Sequence, residues 1–360
     1  MRIVLTFRRL LLLSAFLAVG GLAVAWSGIF NVGASGGHWK ITDWFLHWAM
    51  QNSVKTHSMN IETPDLSNPG LVHRAAGHFQ TGCSPCHGSP VEPQSPVMEH
   101  ATPPPPGLLN VNEKWEPKHL FWIVKHGVKF TGMPAWVALE RDDEIWSMVA
   151  FLRELPAMST DRYRELAFGD VTVATINGDR ADELLADCAR CHGRDGAGRA
   201  NDAFPIIGGQ GEAYLLDALR AYSTGDRKSG IMQPAARRGG DAELAVLARY
   251  YAGQRRVTAN GPLNPALVTK GERIARDGIA AKSVPSCLSC HGAAERARNP
   301  HFPNLDGQHA SYLETQLLLW QKKARGGGPY GHLMQAVADR LSENEIAAAA
   351  HYFASRTGTR

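Results

Sequence analysis

All six cysteines of this 360-residue chain fall in three pairs, Cys83/Cys86, Cys188/Cys191 and Cys287/Cys290, and each pair is followed at once by a histidine: His87, His192 or His291. Cysteines at i and i+3 on one helical turn face the same way. Both thiols can then add to the two vinyl groups of one haem, and the adjoining histidine can swing beneath the ring to ligate iron, which is the chemical sense of Cys-x-x-Cys-His. Two other chemistries use such pairs. Structural zinc needs four protein ligands from neighbouring knuckles, and a redox dithiol needs a thioredoxin-like setting. Here the pairs stand roughly 100 residues apart, each in its own domain-sized context. The expectation is three covalently bound c-type haems.

An electron-transfer haem needs a sixth ligand, and a methionine thioether is the usual partner of histidine, raising the reduction potential. Met334 is the only methionine in the third stretch and Met232 the only one in the second. The first stretch offers Met98, Met133, Met148 and Met158. Met148 falls on the apolar face of an amphipathic helix, and Met98 is too near the attachment site to reach the opposite haem face comfortably. Met133, in the turn-like run HGVKFTGMPAW, is the choice. The His-to-Met separations are then 46, 40 and 43 residues. A lone methionine is more often core than ligand; three in the same relative place reverse that. His78 and His126 are the rival axial ligands for the first iron.

The elements that position these residues repeat with a period near 100 residues, which means repeated domains rather than a solenoid. A short helix leads into each Cys-x-x-Cys-His, followed by a Pro/Gly-rich loop, a middle helix, the methionine and a closing amphipathic helix. The closing helix of the first unit starts on Asp142-Asp143-Glu144, as a helix N-terminus prefers, and Ile145, Met148, Val149 and Leu152 follow at helical spacing. Asp241–Tyr251 and Ser342–Phe353 repeat the pattern, with a capping box expected between Ser342 and Glu345. Strand signals are weak, so the soluble part reads as all-α.

Ahead of the units, Arg2, Arg8 and Arg9 precede the uncharged stretch Leu10–Phe30. Its 21 residues are long enough to span a bilayer, and the arginines should stay cytoplasmic, leaving the rest on the far side. A cleaved signal peptide is the other reading, since Ala23-Val24-Ala25 resembles a cleavage site. His38–Met50 carries three tryptophans and a phenylalanine. It reads either as an interfacial helix on the membrane surface or as an amphipathic helix packed on the first unit. The organisation is an anchor at 1–31, the aromatic helix and linker at 32–70, units at 71–158, 177–258 and 262–360, and a linker at 159–176. A formal charge of +4 is too small to point to nucleic acid.

The Cys-x-x-Cys-His…Met units resemble class I cytochromes c. The second and third together resemble the dihaem cytochrome c4 family, through CARCHG with FPIIGGQGEAYL and CLSCHG with FPNLDGQHASYL. In both, a glutamine follows the proline by five residues and a tyrosine by nine, over roughly residues 177–356. The first unit resembles the monohaem cytochrome c domains of oxidase and dehydrogenase systems, through HGVKFTGMPAW and EIWSMVAFLREL, and lacks the Gly-Gln-x-x-x-Tyr segment. Residues 1–70 match neither pattern. The resemblance implies that the Pro205 and Pro303 carbonyls accept the ring N–H of His192 and His291. Pro106, in the run Pro103–Pro106, is the first unit's candidate, against simple loop rigidity. Arg227 resembles a basic residue that contacts a haem propionate, the alternative being a solvated arginine.

Three six-coordinate irons leave no open site for bond chemistry. The expected function is therefore electron transfer in the periplasm, from the inner membrane, taking electrons from a quinol-oxidising complex and delivering them to a terminal oxidase. The alternatives are the cytochrome subunit of a periplasmic quinoprotein dehydrogenase, and a haem enzyme such as a peroxidase.

Overall fold

The computed structural model describes residues 6–169, 180–200, 202–291 and 299–357. The expected junction between the linker and the second unit, and the end of the third unit at 360, lie outside the described residues. Among the described residues the protein is helical throughout, and its β pairing is confined to two isolated bridges, Arg227 with Gly326 and Ile279 with Val284.

Helix α1 (Phe7–Ser27) takes in Arg8 and Arg9 and ends before the expected Phe30, because Gly28 turns the chain at φ +69. Its uncharged part, Leu10–Ser27, is about 27 Å long at 1.5 Å per residue. None of its residues is buried, and it is long and apolar enough to cross a membrane. Helix α2 (Lys40–His57) runs further than the aromatic segment. Its first half exposes Trp44, Phe45 and Trp48, while its end buries Val54 and sets His57 against Trp122 with ring centroids 5.6 Å apart.

The first unit comprises α3 (Pro69–His78), a π-helical turn at Phe79–Cys83, α4 (Ser84–His87), α5 (Pro117–His126), α6 (Asp142–Glu154) and α7 (Thr160–Phe168). Residues 160–168, read from sequence as the start of a linker, belong to this core: Tyr163, Leu166 and Ala167 share one buried face, and Tyr163 donates to Gln80 Oε1 at 2.5 Å. The second unit holds α8 (Arg180–His192), α9 (Glu212–Thr224), α10 (Met232–Arg237) and α11 (Asp241–Ala252). The third holds α12 (Pro265–Asp277), α13 (Ala310–Gln321), α14 (Gly331–Ala338) and α15 (Glu343–Ser355).

In the first and third units the leading and closing helices pack closely against each other. At the crossing of α12 and α15 a Cβ on Gly271 would fall 1.9 Å from the Ala348 carbonyl oxygen, so only glycine allows that approach. The attachment segments differ in local structure. In the second unit α8 runs unbroken into Cys188–His192. In the third, Gly278 at φ +73 ends α12, a loop closed by the Ile279–Val284 bridge intervenes, and Cys287–Ser289 form a 3-10 turn.

The capping box of α15 forms as the sequence predicts, with Glu345 Oε2 accepting from the Ser342 N–H at 2.7 Å and from Lys282 Nζ at 2.6 Å. Burial alone would raise the Glu345 carboxyl, but these donors outweigh it and hold the group down to about 2. A carboxyl depressed in the folded state contributes stability that is present above its unfolded pKa and lost as pH falls through the folded one. Glu345→Gln should therefore lower the unfolding free energy of the third unit by about 1 kcal/mol at neutral pH. Thermal melts should show the difference between variant and parent shrinking as pH is taken from 5 towards 2.

Candidate haem sites

In the second and third units the predicted ligands converge. Cys188, Cys191, His192 and Met232, together with Cys287, Cys290, His291 and Met334, line one continuous cavity of about 1140 Å³. Met232 opens α10, and Met334 lies on α14. Burial pushes the Cys188 thiol up to about 12 and the Cys191 and Cys287 thiols up to about 11. Burial also pushes the His192 imidazole down to about 4, with the Pro205 carbonyl opposing the shift; its Nδ1 nevertheless lacks a well-formed hydrogen bond. His291 Nδ1 lies 3.0 Å from the Pro303 carbonyl oxygen. A ring oriented through Nδ1 makes Nε2 the nitrogen that would ligate iron.

Two arginines stand in the same cavity, Arg227 buried and Arg325 half-buried. Arg227 is only 5% exposed, so it is not a solvated surface residue. Its Nη1 donates to Tyr214 Oη at 3.4 Å, its Nη2 to Tyr312 Oη at 3.2 Å and to Gln316 Oε1 at 3.1 Å, and its guanidinium lies over the Tyr222 ring. Arg325 Nε donates to the same Gln316 Oε1 at 2.7 Å. Burial and the adjacent Arg227 charge push the Arg325 guanidinium below its ordinary value. Among the described residues neither arginine has a carboxylate at ion-pair distance. Two cations sharing neutral acceptors in one cavity call for an anion, and the propionates of a haem in this cavity would supply that chemistry. The donor set therefore fits the group. Sequence reasoning picked out Arg227 and missed Arg325. The signal was present in the repeat, since Arg227 follows His192 by 35 residues and Arg325 follows His291 by 34.

The first unit's set, Cys83, Cys86, His87 and Met133, does not line that cavity. The physical reason is that its attachment turn is held by its own unit. Cys83 packs against the unit's core, where burial pushes its thiol up to about 12. Cys86, in α4, is half-buried, and its carbonyl accepts from Gln94 Nε2 at 2.7 Å. Gln94 Nε2 also donates to the Pro105 carbonyl at 2.9 Å, tying the Cys86 turn to the proline run. His87 Nδ1 lies 2.8 Å from the carbonyl oxygen of the next proline, Pro106. Met133 sits in a tight loop between α5 and α6, closed by hydrogen bonds from Val128 N–H to the Met133 carbonyl (3.2 Å) and from Trp136 N–H to the Lys125 carbonyl (3.0 Å). Gly127, at φ +63, permits this closure, because a Cβ there would fall 2.6 Å from the Met133 carbonyl oxygen. Met148 is fully buried in the core. His78 is half-buried and edge-on to Trp136, with its imidazole pushed down to about 4 by burial, and His126 packs on Trp122.

The matched glutamines tie the second and third units together reciprocally. Gln308 accepts from Ile206 N–H at 3.0 Å and donates to the Ile206 carbonyl at 2.8 Å. Gln210 accepts from Asn304 N–H at 2.7 Å and donates to the Asn304 carbonyl at 2.9 Å. Ile206 and Asn304 directly follow Pro205 and Pro303, so each unit's glutamine holds the other unit's proline loop. Gln308→Ala would leave three backbone groups without this partner, Ile206 N–H, the Ile206 carbonyl and His309 N–H, at a cost of about 2–4 kcal/mol. Denaturant unfolding should show that loss, and Gln308→Glu, which at neutral pH sets a buried carboxylate against the Ile206 carbonyl, should be destabilised at least as much.

Comparison with known families places the units. Residues 70–152 match the family described as cytochrome c oxidase, cbb3-type, subunit III, and residues 179–250 and 268–357 match the cytochrome c family. Cytochrome c4 of Pseudomonas aeruginosa is 35% identical over 190 residues, covering 52% of this chain and 93% of that protein. A thiosulfate dehydrogenase electron acceptor of Thiomonas intermedia is 34% identical over 172 residues, covering 48% of this chain and 79% of that protein. The crystal structure of reduced cytochrome c4 from Pseudomonas stutzeri is 32% identical and covers 50% of this chain and all of that one, with a TM-score of 0.44. Covalently bound haem c and electron transfer come with this kinship, and the chain belongs to the cytochrome c family, its second and third units forming a pair related to cytochrome c4.

Proposed function

We propose that the protein is a three-haem electron carrier held by α1 at the periplasmic face of the bacterial inner membrane. The observation that carries this reading is the cavity in which two complete Cys-x-x-Cys-His…Met sets surround an arginine pair. The first unit repeats the same residues in the same order. In this reading each cysteine pair forms the thioethers of one haem. His87 and Met133, His192 and Met232, and His291 and Met334 are the axial pairs. Pro106 and Pro303 hold the imidazoles of His87 and His291 by their carbonyls, Pro205 would take the same part towards His192, and Arg227 and Arg325 would neutralise propionates. Each bound haem supplies one iron that alternates between ferric and ferrous states. The chain's own part is to fix both ligands, shield the ring from water and keep the charge balance of the pocket.

For partners, the first unit's match to a subunit of a cbb3-type oxidase supports delivery to a terminal oxidase, with a quinol-oxidising complex as donor. The second reading, a periplasmic dehydrogenase as donor, is supported by relatives named as electron acceptors of thiosulfate dehydrogenase. Co-purification from detergent-solubilised membranes separates the two. Haem-enzyme chemistry would need an iron with a displaceable ligand, and the three matched methionines oppose it.

Pyridine haemochrome analysis should give three covalent haems per chain. Replacing any one of Met133, Met232 and Met334 with alanine should remove about a third of the near-infrared charge-transfer band of His/Met iron and open one iron to carbon monoxide. A wild-type protein that already binds carbon monoxide rapidly at one haem would rule out the pure carrier.

With α1 retained, the protein should stay in the membrane fraction through high-salt and alkaline washes, since burial of a spanning apolar helix is effectively irreversible. Mass spectrometry of the mature chain decides the point. A start near Met1 supports the anchor, and a start at Trp26 makes the segment a signal peptide.

A further inference from the structure

The loop that carries Met232 is held by the first unit as well as by its own. Ser229 Oγ accepts from the N–H groups of Met232 (2.9 Å) and Ile231 (3.3 Å), and donates to Glu144 Oε1 of α6 at 2.5 Å. The other carboxylate oxygen, Glu144 Oε2, accepts from Gly230 N–H at 2.6 Å and from Trp136 Nε1–H at 3.3 Å. Arg141 lies 2.9 Å from Glu144, pairs with Asp143, and donates to the Lys228 carbonyl at 2.8 Å. Lys228 in turn pairs with Glu140. Ile231 packs against the first unit's core. Residues 228–231 are therefore gripped as a block by residues 136–144.

The grip is tight and dry. Glu144 is 6% exposed and Ser229 1% exposed. A Cβ on Gly230 would fall 2.0 Å from Trp136 Nε1, so the two units meet there without space for a side chain. The corresponding loop of the third unit, Gly326–Gly331, lies against the second unit instead, through the Arg227–Gly326 bridge, and Leu333 beyond it is 47% exposed.

We propose that Glu144 is a positioning residue for the second haem: through Ser229 it fixes the backbone of Met232, so the first unit sets the methionine ligation and the potential of the second unit's iron. The inference rests on the reading of Met232 as an axial ligand. A loosened methionine is a weaker ligand, and methionine ligation raises the potential, so the direction of the effect is fixed.

The test uses the full haem-loaded chain with Glu144→Ala, Glu144→Gln, Ser229→Ala and Met232→Ala. Glu144→Ala should reduce the near-infrared band by up to the share that Met232→Ala removes, lower one of the three midpoint potentials and leave the other two in place. Ser229→Ala, a small change that keeps the carboxylate, should give a weaker effect in the same direction, as should Glu144→Gln. Adding Glu144→Ala to Met232→Ala should cause no further loss of the band. Unchanged band and potentials in both Glu144→Gln and Ser229→Ala, with Met232→Ala behaving as a ligand loss, would overturn the inference alone. A further loss in the double variant would overturn it too, by placing the effect at another iron. A Met232→Ala protein with its band intact would overturn both the ligand assignment and the inference.

Discussion

A small helical unit that must enclose a large flat ring cannot also fill its own centre with side chains, and much of this molecule follows from that constraint. Among the described residues the second unit's apolar core is built on Leu184, Leu185, Leu215, Leu247, Ala248 and Tyr251. The third unit's core is split into two clusters, around Phe353 and around Ile346. Between them lies the cavity of about 1140 Å³. Units of this size are marginal without a staple, and a ring bonded to two cysteines supplies one. The first unit is different. Its core is continuous from Val54 of α2 to Ala167 of α7 and includes the packed rings of Phe79, Phe151 and Tyr163.

The same constraint explains why the polar contacts gather at the boundaries between units. A loop beside a ring has lost the neighbours that would normally pair its backbone, and unpaired buried groups are costly. Each such loop takes its partners from the next unit. Gln308 pairs Ile206, Gln210 pairs Asn304, and Glu144 with Arg141 pairs residues 228–230. Arg74 of α3 donates to the Ala203 carbonyl at 3.0 Å, adding a further tie between the first two units. Gly77, on the same helix, would carry a Cβ only 3.2 Å from Cys191 Sγ, so the first unit lies directly against the second attachment site.

What the sequence made legible was local. The attachment motifs, the closing helices and the Ser342–Glu345 cap each depend on residues within one or two turns of each other. The repeat also carried longer-range information, since matched register picked out the methionines. It would have given Arg325 as well, had Arg227 been projected onto the third unit. The contacts across 85 or more residues were not legible: nothing in DDEIW distinguishes the buried Glu144, bonded to Ser229, from Asp142, whose exposed carboxylate pairs with Lys125. Both are acids in the first turn of a helix, and only the docking of the second unit separates them. The same holds for the attachment pairs, where Cys86 and Cys191 occupy one motif position but only Cys191 faces the shared cavity. The segment 160–168 shows the converse. Its apolar positions follow helical spacing, but nine residues after a Pro-containing turn read as linker until Phe79 and Phe151 supply the surface they cover.

The order of the chain is also the order of contact. Helix α2 points its exposed tryptophans away from the first unit and packs its last turns onto α5. The first unit holds the Met232 loop of the second, and the second and third exchange glutamine bonds and share the arginine pair. No rigid unit hangs from its neighbour by chain connectivity alone where both sides are described. For a carrier with its haem motifs in successive units, this matters more than the strength of any one contact. Transfer between fixed groups depends on a distance that thermal motion does not reset at each event, and interlocked loops keep that distance by making the Met232 loop of one unit part of the packing of its neighbour.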